Sequence, residues 1–115
     1  MNRHNADMEK DGAAMLRRLG LMLLLAVVGT AAQASEALAT KSACMGCHQP
    51  DKKVVGPSWK DVAAKYADGS KTAEQLASSI RQGSSGKWGA VPMPAQPALS
   101  DADALILSKW ILGQR

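Results

Sequence analysis

The sequence predicts a small all-α domain whose own side chains are too few to fill its core. Three observations carry that prediction. Apolar residues recur at helical spacing in successive segments. No segment alternates with period two for long enough to make a strand. Ser, Thr, Gly and Pro stand where those segments begin and end. The aromatics of the folded part are only Trp59, Tyr66, Trp88 and Trp110, with no Phe anywhere in the chain. A domain this small usually needs a staple or a cofactor to be stable.

The elements follow in order. Glu36 to Ala43 is predicted as a short helix, with Leu38, Ala39 and Ala43 on one face. Gln49 to Val55 is a polar loop ending in two valines, and Gly56-Pro57 is expected to open a second helix. There Trp59, Val62, Ala63 and Tyr66 fall at i, i+3, i+4 and i+7, and Asp68-Gly69 ends the run. Thr72-x-x-Gln75 is a capping-box pattern that starts a third helix, with Leu76 and Ile80 on one side and Gly83 at its end. Ser84 to Leu99 has no period and holds Gly86, Gly89, Pro92, Pro94 and Pro97, which makes it an irregular loop. Long loops in compact domains are usually functional. Ser100 caps a last helix with Asp101 and Asp103 in its first turn. Ala104, Leu107, Ser108 and Ile111 share one face, Trp110 lies beside it, and Gly113 closes it.

Ahead of this domain, Arg17 and Arg18 precede an almost unbroken apolar run from Leu19 to Ala32, and Ala32-Gln33-Ala34 offers a small-x-small cleavage site. That is the anatomy of a secretory signal peptide. The run falls short of the roughly 20 apolar residues of a comfortable membrane span; an uncleaved anchor is the alternative. Met1 to Ala14 is polar for such a leader, so Met8 and Met15 stand as alternative starts. The expected division is 1–34 for extension and leader and 35–115 for the domain, exported to the periplasm. The domain keeps ten Lys/Arg against seven Asp/Glu, a mild excess with no basic stripe for nucleic acid.

Chemistry is concentrated in Cys44-Met45-Gly46-Cys47-His48, a C-x-x-C-H pattern for covalent haem attachment. Residues three apart share one side of a helical turn. Two thiols so placed can bond the two vinyl groups of one haem, and the next residue, His48, can turn its imidazole to the iron. A dithiol oxidoreductase would want a βαβ context, which is missing from the pattern. A structural zinc site wants four ligands; Cys44, Cys47 and His48 are one short. A disulfide would close a tiny loop and stabilise little.

A second iron ligand must come from elsewhere. Met45 lies inside the motif, and Met93 is the only other methionine after the leader. A lone methionine is often core filler. Here Pro92 and Pro94 stiffen the backbone on both sides of Met93, as a preorganised thioether ligand requires. His/Met ligation raises the reduction potential.

With these residues in view, the chain from about Leu38 onward resembles the bacterial class I cytochromes c of the c-551/c-552 group. The resemblance rests on Cys44-Met45-Gly46-Cys47-His48, Val54-Val55-Gly56-Pro57, Asp61-Val62-Ala63-Ala64-Lys65-Tyr66, Gly83-Ser84-Ser85-Gly86-Lys87-Trp88-Gly89, Pro92-Met93-Pro94 and Ser108-Lys109-Trp110-Ile111-Leu112, in that order. It implies a class I cytochrome c fold of about four short helices around one covalently bound haem c. It implies that the Pro57 carbonyl accepts from the His48 ring and that the Trp88 indole donates to a haem propionate. Gln96 stands near an Asn that bonds the Met sulfur in family members. Ser79 aligns where many members carry an Arg near the propionate, and Arg81 is close by in sequence.

The function expected is that of a non-enzymatic, monomeric, periplasmic carrier of single electrons. Its partners would be redox proteins: a quinol-oxidising complex as donor, and a nitrite reductase, peroxidase or terminal oxidase as acceptor. Met45, Val54, Val55, Val91, Pro92, Pro94 and Ala95 would surround the haem edge, with Lys52, Lys53 and Lys87 at the rim. No nucleic-acid role is expected, and a membrane role only through an uncleaved leader. The alternative is a haem sensor or peroxidase-like module in which Met93 is displaceable.

Overall fold

The computed structural model describes residues 31–115 together with Gly12, Met15 and Leu16; the expected leader, residues 1–34, lies almost wholly outside the described residues. Residues 31–41 are helical (α1). A 3-10 turn spans Cys44–Gly46, followed by α2 at Trp59–Lys65, α3 at Ala73–Gln82 and α4 at Asp101–Leu112. The only ladder contacts among the described residues are two isolated bridges, His48 with Lys53 and Ser84 with Met93. The molecule is therefore all-α. None of the described helices is long and apolar enough to cross a membrane.

Two helix boundaries differ from expectation. The first helix ends before Ala43, because Ala43 takes a left-handed conformation (φ 60°) that breaks the helical path and feeds the 3-10 turn. The second begins at Trp59 rather than at Pro57. Ser58 is its N-cap, and its side chain accepts from the Asp61 N–H at 3.0 Å. The chain ahead of the cap is tied elsewhere: Gly56 N–H donates to the Cys47 carbonyl at 2.8 Å, and Trp59 N–H to the Gln49 carbonyl at 3.0 Å. These two bonds clamp the Cys-Cys-His segment to the start of α2.

The later elements form as their caps dictate. Thr72 accepts from Gln75 N–H at 3.2 Å while the Gln75 side chain accepts from Thr72 N–H at 2.9 Å, a complete capping box. Gly83 stops α3 at φ 80°. Ser100 accepts from Asp103 N–H at 3.1 Å to start α4.

The core is made where α4 packs on α3 and α2, around Leu76, Ala77, Ile80, Ala104, Leu107 and Ile111, with Ala39 of α1 and Leu99 added. Ser108 is fully buried there, and its hydroxyl donates to the Ala104 carbonyl at 2.8 Å, so its own polar group is satisfied. Leu105 packs half-buried against the core, whereas Ile106 is exposed. Arg81 laces the far side together: its Nε donates to the Leu99 carbonyl at 2.9 Å and its guanidinium pairs with Asp101.

Candidate functional site

The Cys-Cys-His segment is shaped by the 3-10 turn. In such a turn, residues three apart eclipse each other more closely than in an α-helix, so Cys44 and Cys47 are held on one side. Both thiols are free; Cys44 is half-buried and Cys47 exposed. Burial pushes the Cys44 thiol above its ordinary value, and neighbouring Cys47 adds to that shift. The His48 N–H donates to the Cys44 carbonyl at 3.0 Å, which fixes the backbone from which the imidazole departs.

Three neighbours then fix the ring. Nδ1 lies 2.7 Å from the Pro57 carbonyl oxygen. A carbonyl can only accept, so Nδ1 carries the proton and Nε2 keeps its lone pair free for a metal. Trp59 stacks on the ring at 4.6 Å between centroids and 20° between planes. Gly56 packs under it so closely that a Cβ there would stand 2.5 Å from Cε1.

Met93 is positioned by its backbone. It exchanges two hydrogen bonds with Ser84, donating at 2.8 Å and accepting at 3.1 Å. Gly83 turns the chain into this pairing; a Cβ on it would lie 2.7 Å from the Met93 carbonyl oxygen. The far end of the loop is held by Gln96 N–H donating to the Arg81 carbonyl at 3.1 Å. The Gln96 side-chain amide donates to the Pro94 carbonyl at 3.3 Å.

One cavity gathers Cys44, Cys47, His48, Pro57, Trp88 and Met93. Its walls are the apolar inner faces of the helices: Val62 from α2, Leu76 and Ile80 from α3, Leu107 and Ile111 from α4. Ser79 also lines it, whereas Arg81 does not. Trp88 is half-buried in the lining and meets Tyr66 edge-on at 6.3 Å.

The residues present fit a covalently held haem. The donor set is an imidazole with a free Nε2, a thioether and two thiols, set in apolar walls. Trp59 Nε1, which also belongs to this wall, is buried without a hydrogen-bond partner. Among the described residues, no group of three or more His, Cys, Asp or Glu is gathered as a zinc site would need.

The two thiols, His48, Pro57, Trp88 and Met93, singled out from the sequence, are brought together on this one cavity. Sequence reasoning missed the contacts of Gly56, Trp59, Gly83 and Ser84 with the two ligand candidates. The Gly-Pro and Gln-Gly dipeptides were the available signal, because a glycine beside a functional segment often marks close approach of backbone.

The model of the family described as cytochrome c matches residues 32–114. Cytochrome c-552 of Nitrosomonas europaea is 56% identical over 81 residues, covering 70% of this chain and 79% of the relative. Cytochrome c-551 of Pseudomonas aeruginosa is 44% identical over 102 residues, covering 89% of this chain and 96% of the relative. The crystal structure of wild-type Nitrosomonas europaea cytochrome c552 superposes with a TM-score of 0.67 at 52% identity, over 70% of this chain and 99% of that one.

Proposed function

The chain belongs to the cytochrome c family, within its c-551/c-552 group, and carries one covalently bound haem c; from that premise we propose that it is a periplasmic carrier of single electrons, attached to its haem through Cys44 and Cys47 and ligating the iron through His48 and Met93. One observation carries this: a single apolar cavity collects both thiols, an imidazole with Nε2 free, and a thioether on a braced loop.

When bound, the haem supplies a one-electron couple. The chain's own residues do the rest. The Pro57 carbonyl holds the His48 proton on Nδ1, and Gly56 and Trp59 set the plane of the ring. The Ser84–Met93 pairing holds the thioether in place, and a neutral sulfur donor favours the reduced state. Val62, Leu76, Ile80, Leu107 and Ile111 give the cavity buried apolar walls. If His48 and Met93 both hold the iron, the chain would leave it no open position for a substrate, which supports transfer of electrons rather than catalysis.

Val55, Val91, Pro92 and Pro94 lie on the cavity lining and are exposed, and Val54 beside them is exposed too. An apolar patch of this kind suits the brief, small-area docking of redox partners. A quinol-oxidising complex as donor, and a nitrite reductase, peroxidase or terminal oxidase as acceptor, fit that chemistry. Export rests on the apolar run and the Ala-Gln-Ala site before Ser35.

Mass spectrometry and absorption of the protein purified from the periplasm test these assignments. The expected mass is that of residues 35–115 plus one haem, and the ferric form should show the weak near-red band of a methionine–iron bond. Met93→Ala should lose that band and bind CO rapidly. A wild-type protein that lacks the band and binds CO rapidly is instead a sensor or peroxidase-like module.

A further inference from the structure

Three lysines converge beside the cavity. Lys71, from the turn before α3, is half-buried and lines it, as does Lys87 from the long loop. Lys65, at the end of α2, donates to the Lys87 carbonyl at 3.0 Å and sets its ammonium 4.2 Å from the Trp88 ring centre. Lys71 Nζ stands 5.4 Å from the centre of Tyr66. The ion pairs among the described residues are Lys60–Asp51 and Arg81–Asp101, so none of the three lysines is matched by a carboxylate. No Asp or Glu lines the cavity. Like charges so gathered repel, and each is costly to desolvate.

The two residues that sequence comparison offers for a counter-charge do not supply one. Ser79 is on the lining but neutral, and its hydroxyl donates to the Gln75 carbonyl at 3.1 Å. Arg81 is spent on Leu99 and Asp101, away from the cavity. Haem c brings two carboxylates and an otherwise apolar body. We infer that Lys71 and Lys87 form a cationic clamp that holds a haem propionate in its ionised form, in the role left open at Ser79. This rests on the haem c reading above.

The electrostatics agree. Desolvation, then the nearness of Lys87 and Lys65, pull Lys71 down to about 8. An anion beside Lys71 would oppose that shift and favour its charged form. Of the titratable groups nearby in sequence, neutral Tyr66 follows α2 as its C-cap, and Asp68, in the turn before α3, accepts from Ser70 N–H at 2.9 Å. α3 and α4 present Ser79, Leu107 and Ile111 to the cavity, none of them charged.

Potentiometry of the holoprotein between pH 5 and 9 tests the clamp, with carbon NMR of the propionate carboxyls as a second readout. An ionised propionate favours the ferric state, so the potential falls as pH rises through its titration. Removing the clamp should move that fall, and the NMR midpoint, up by about one pH unit or more, the usual effect of one opposite charge within a few Å. Lys71→Gln and Lys87→Gln should each do this in part and the double variant most. Lys71→Arg and the distant Lys52→Gln should keep the wild-type curves. Superimposable curves for the double variant and wild type would overturn the clamp and leave the lysines as surface charge. Absence of haem mass in the wild type would instead overturn the underlying assignment, and the clamp with it.

Discussion

His48 is held by three neighbours acting through different physics: a hydrogen bond from Nδ1 to Pro57, stacking on Trp59, and close packing over Gly56. The hydrogen bond selects the tautomer, stacking selects the plane, and Gly56 selects the depth to which the ring can sink. The last has the least freedom, since His48 Cε1 and Nδ1 would lie 2.5 and 2.9 Å from an added Cβ. Gly56→Ala should therefore push the imidazole off its axis. We expect a loss of about 1–3 kcal/mol in denaturation of the holoprotein, the usual range for overpacking, together with a changed ferric spectrum. An unchanged spectrum and midpoint would show that the ring has slack. Cys44, Cys47 and His48 were legible because their chemistry is encoded in five consecutive residues. Gly56 was not, because its partner is a side chain eight positions earlier, brought back by the bond from Gly56 N–H to Cys47.

At the scale of elements, helices and loop divide the work. Thr72 and Ser100 are legible as caps because each acts on backbone within three residues of itself, whereas the cap at Ser58 is given by the structure. Pro57 was misplaced as the opening of α2, because a proline after glycine also suits a turn whose carbonyl is needed elsewhere. The loop from Ser84 to Leu99 has no period, yet it is ordered at both ends, by the Ser84–Met93 pair and by Gln96 on Arg81. Gly83 opens it at φ 80° and ψ 174°, a region open essentially to glycine alone. Gly83→Ala should cost about 1–3 kcal/mol in backbone strain, and its Cβ would also press on the Met93 carbonyl. The measurable consequence is a weaker near-red band and faster CO binding than wild type. A variant that loses stability but keeps CO binding slow would separate the loop's strain from the seating of Met93.

The whole molecule is a set of helices whose inner faces serve two packing partners. Part of each face meets another helix, as Leu107 and Ile111 do in the core; part lines the cavity, which those same residues also reach. With so few large side chains, the contacts between helices alone leave much apolar wall unburied. Haem-free residues 35–115 should therefore lack a cooperative thermal transition, as followed by circular dichroism, while the holoprotein melts sharply. An equally sharp transition in both forms would show that the helices are self-sufficient.

Sequence by itself determined the all-α class, the caps at Thr72 and Ser100, the thiol–thiol–imidazole motif and the stiffened methionine, because each depends on spacing within a few residues. Tertiary structure alone decided what surrounds them. It put Gly56 and Trp59 on His48, paired Ser84 with Met93, turned Arg81 away to Asp101, and drew Lys65, Lys71 and Lys87 together beside Trp88. Each of these joins positions whose nearness depends on how α2, α3 and the long loop close around one cavity. Short-range rules of spacing carry no information about that closure.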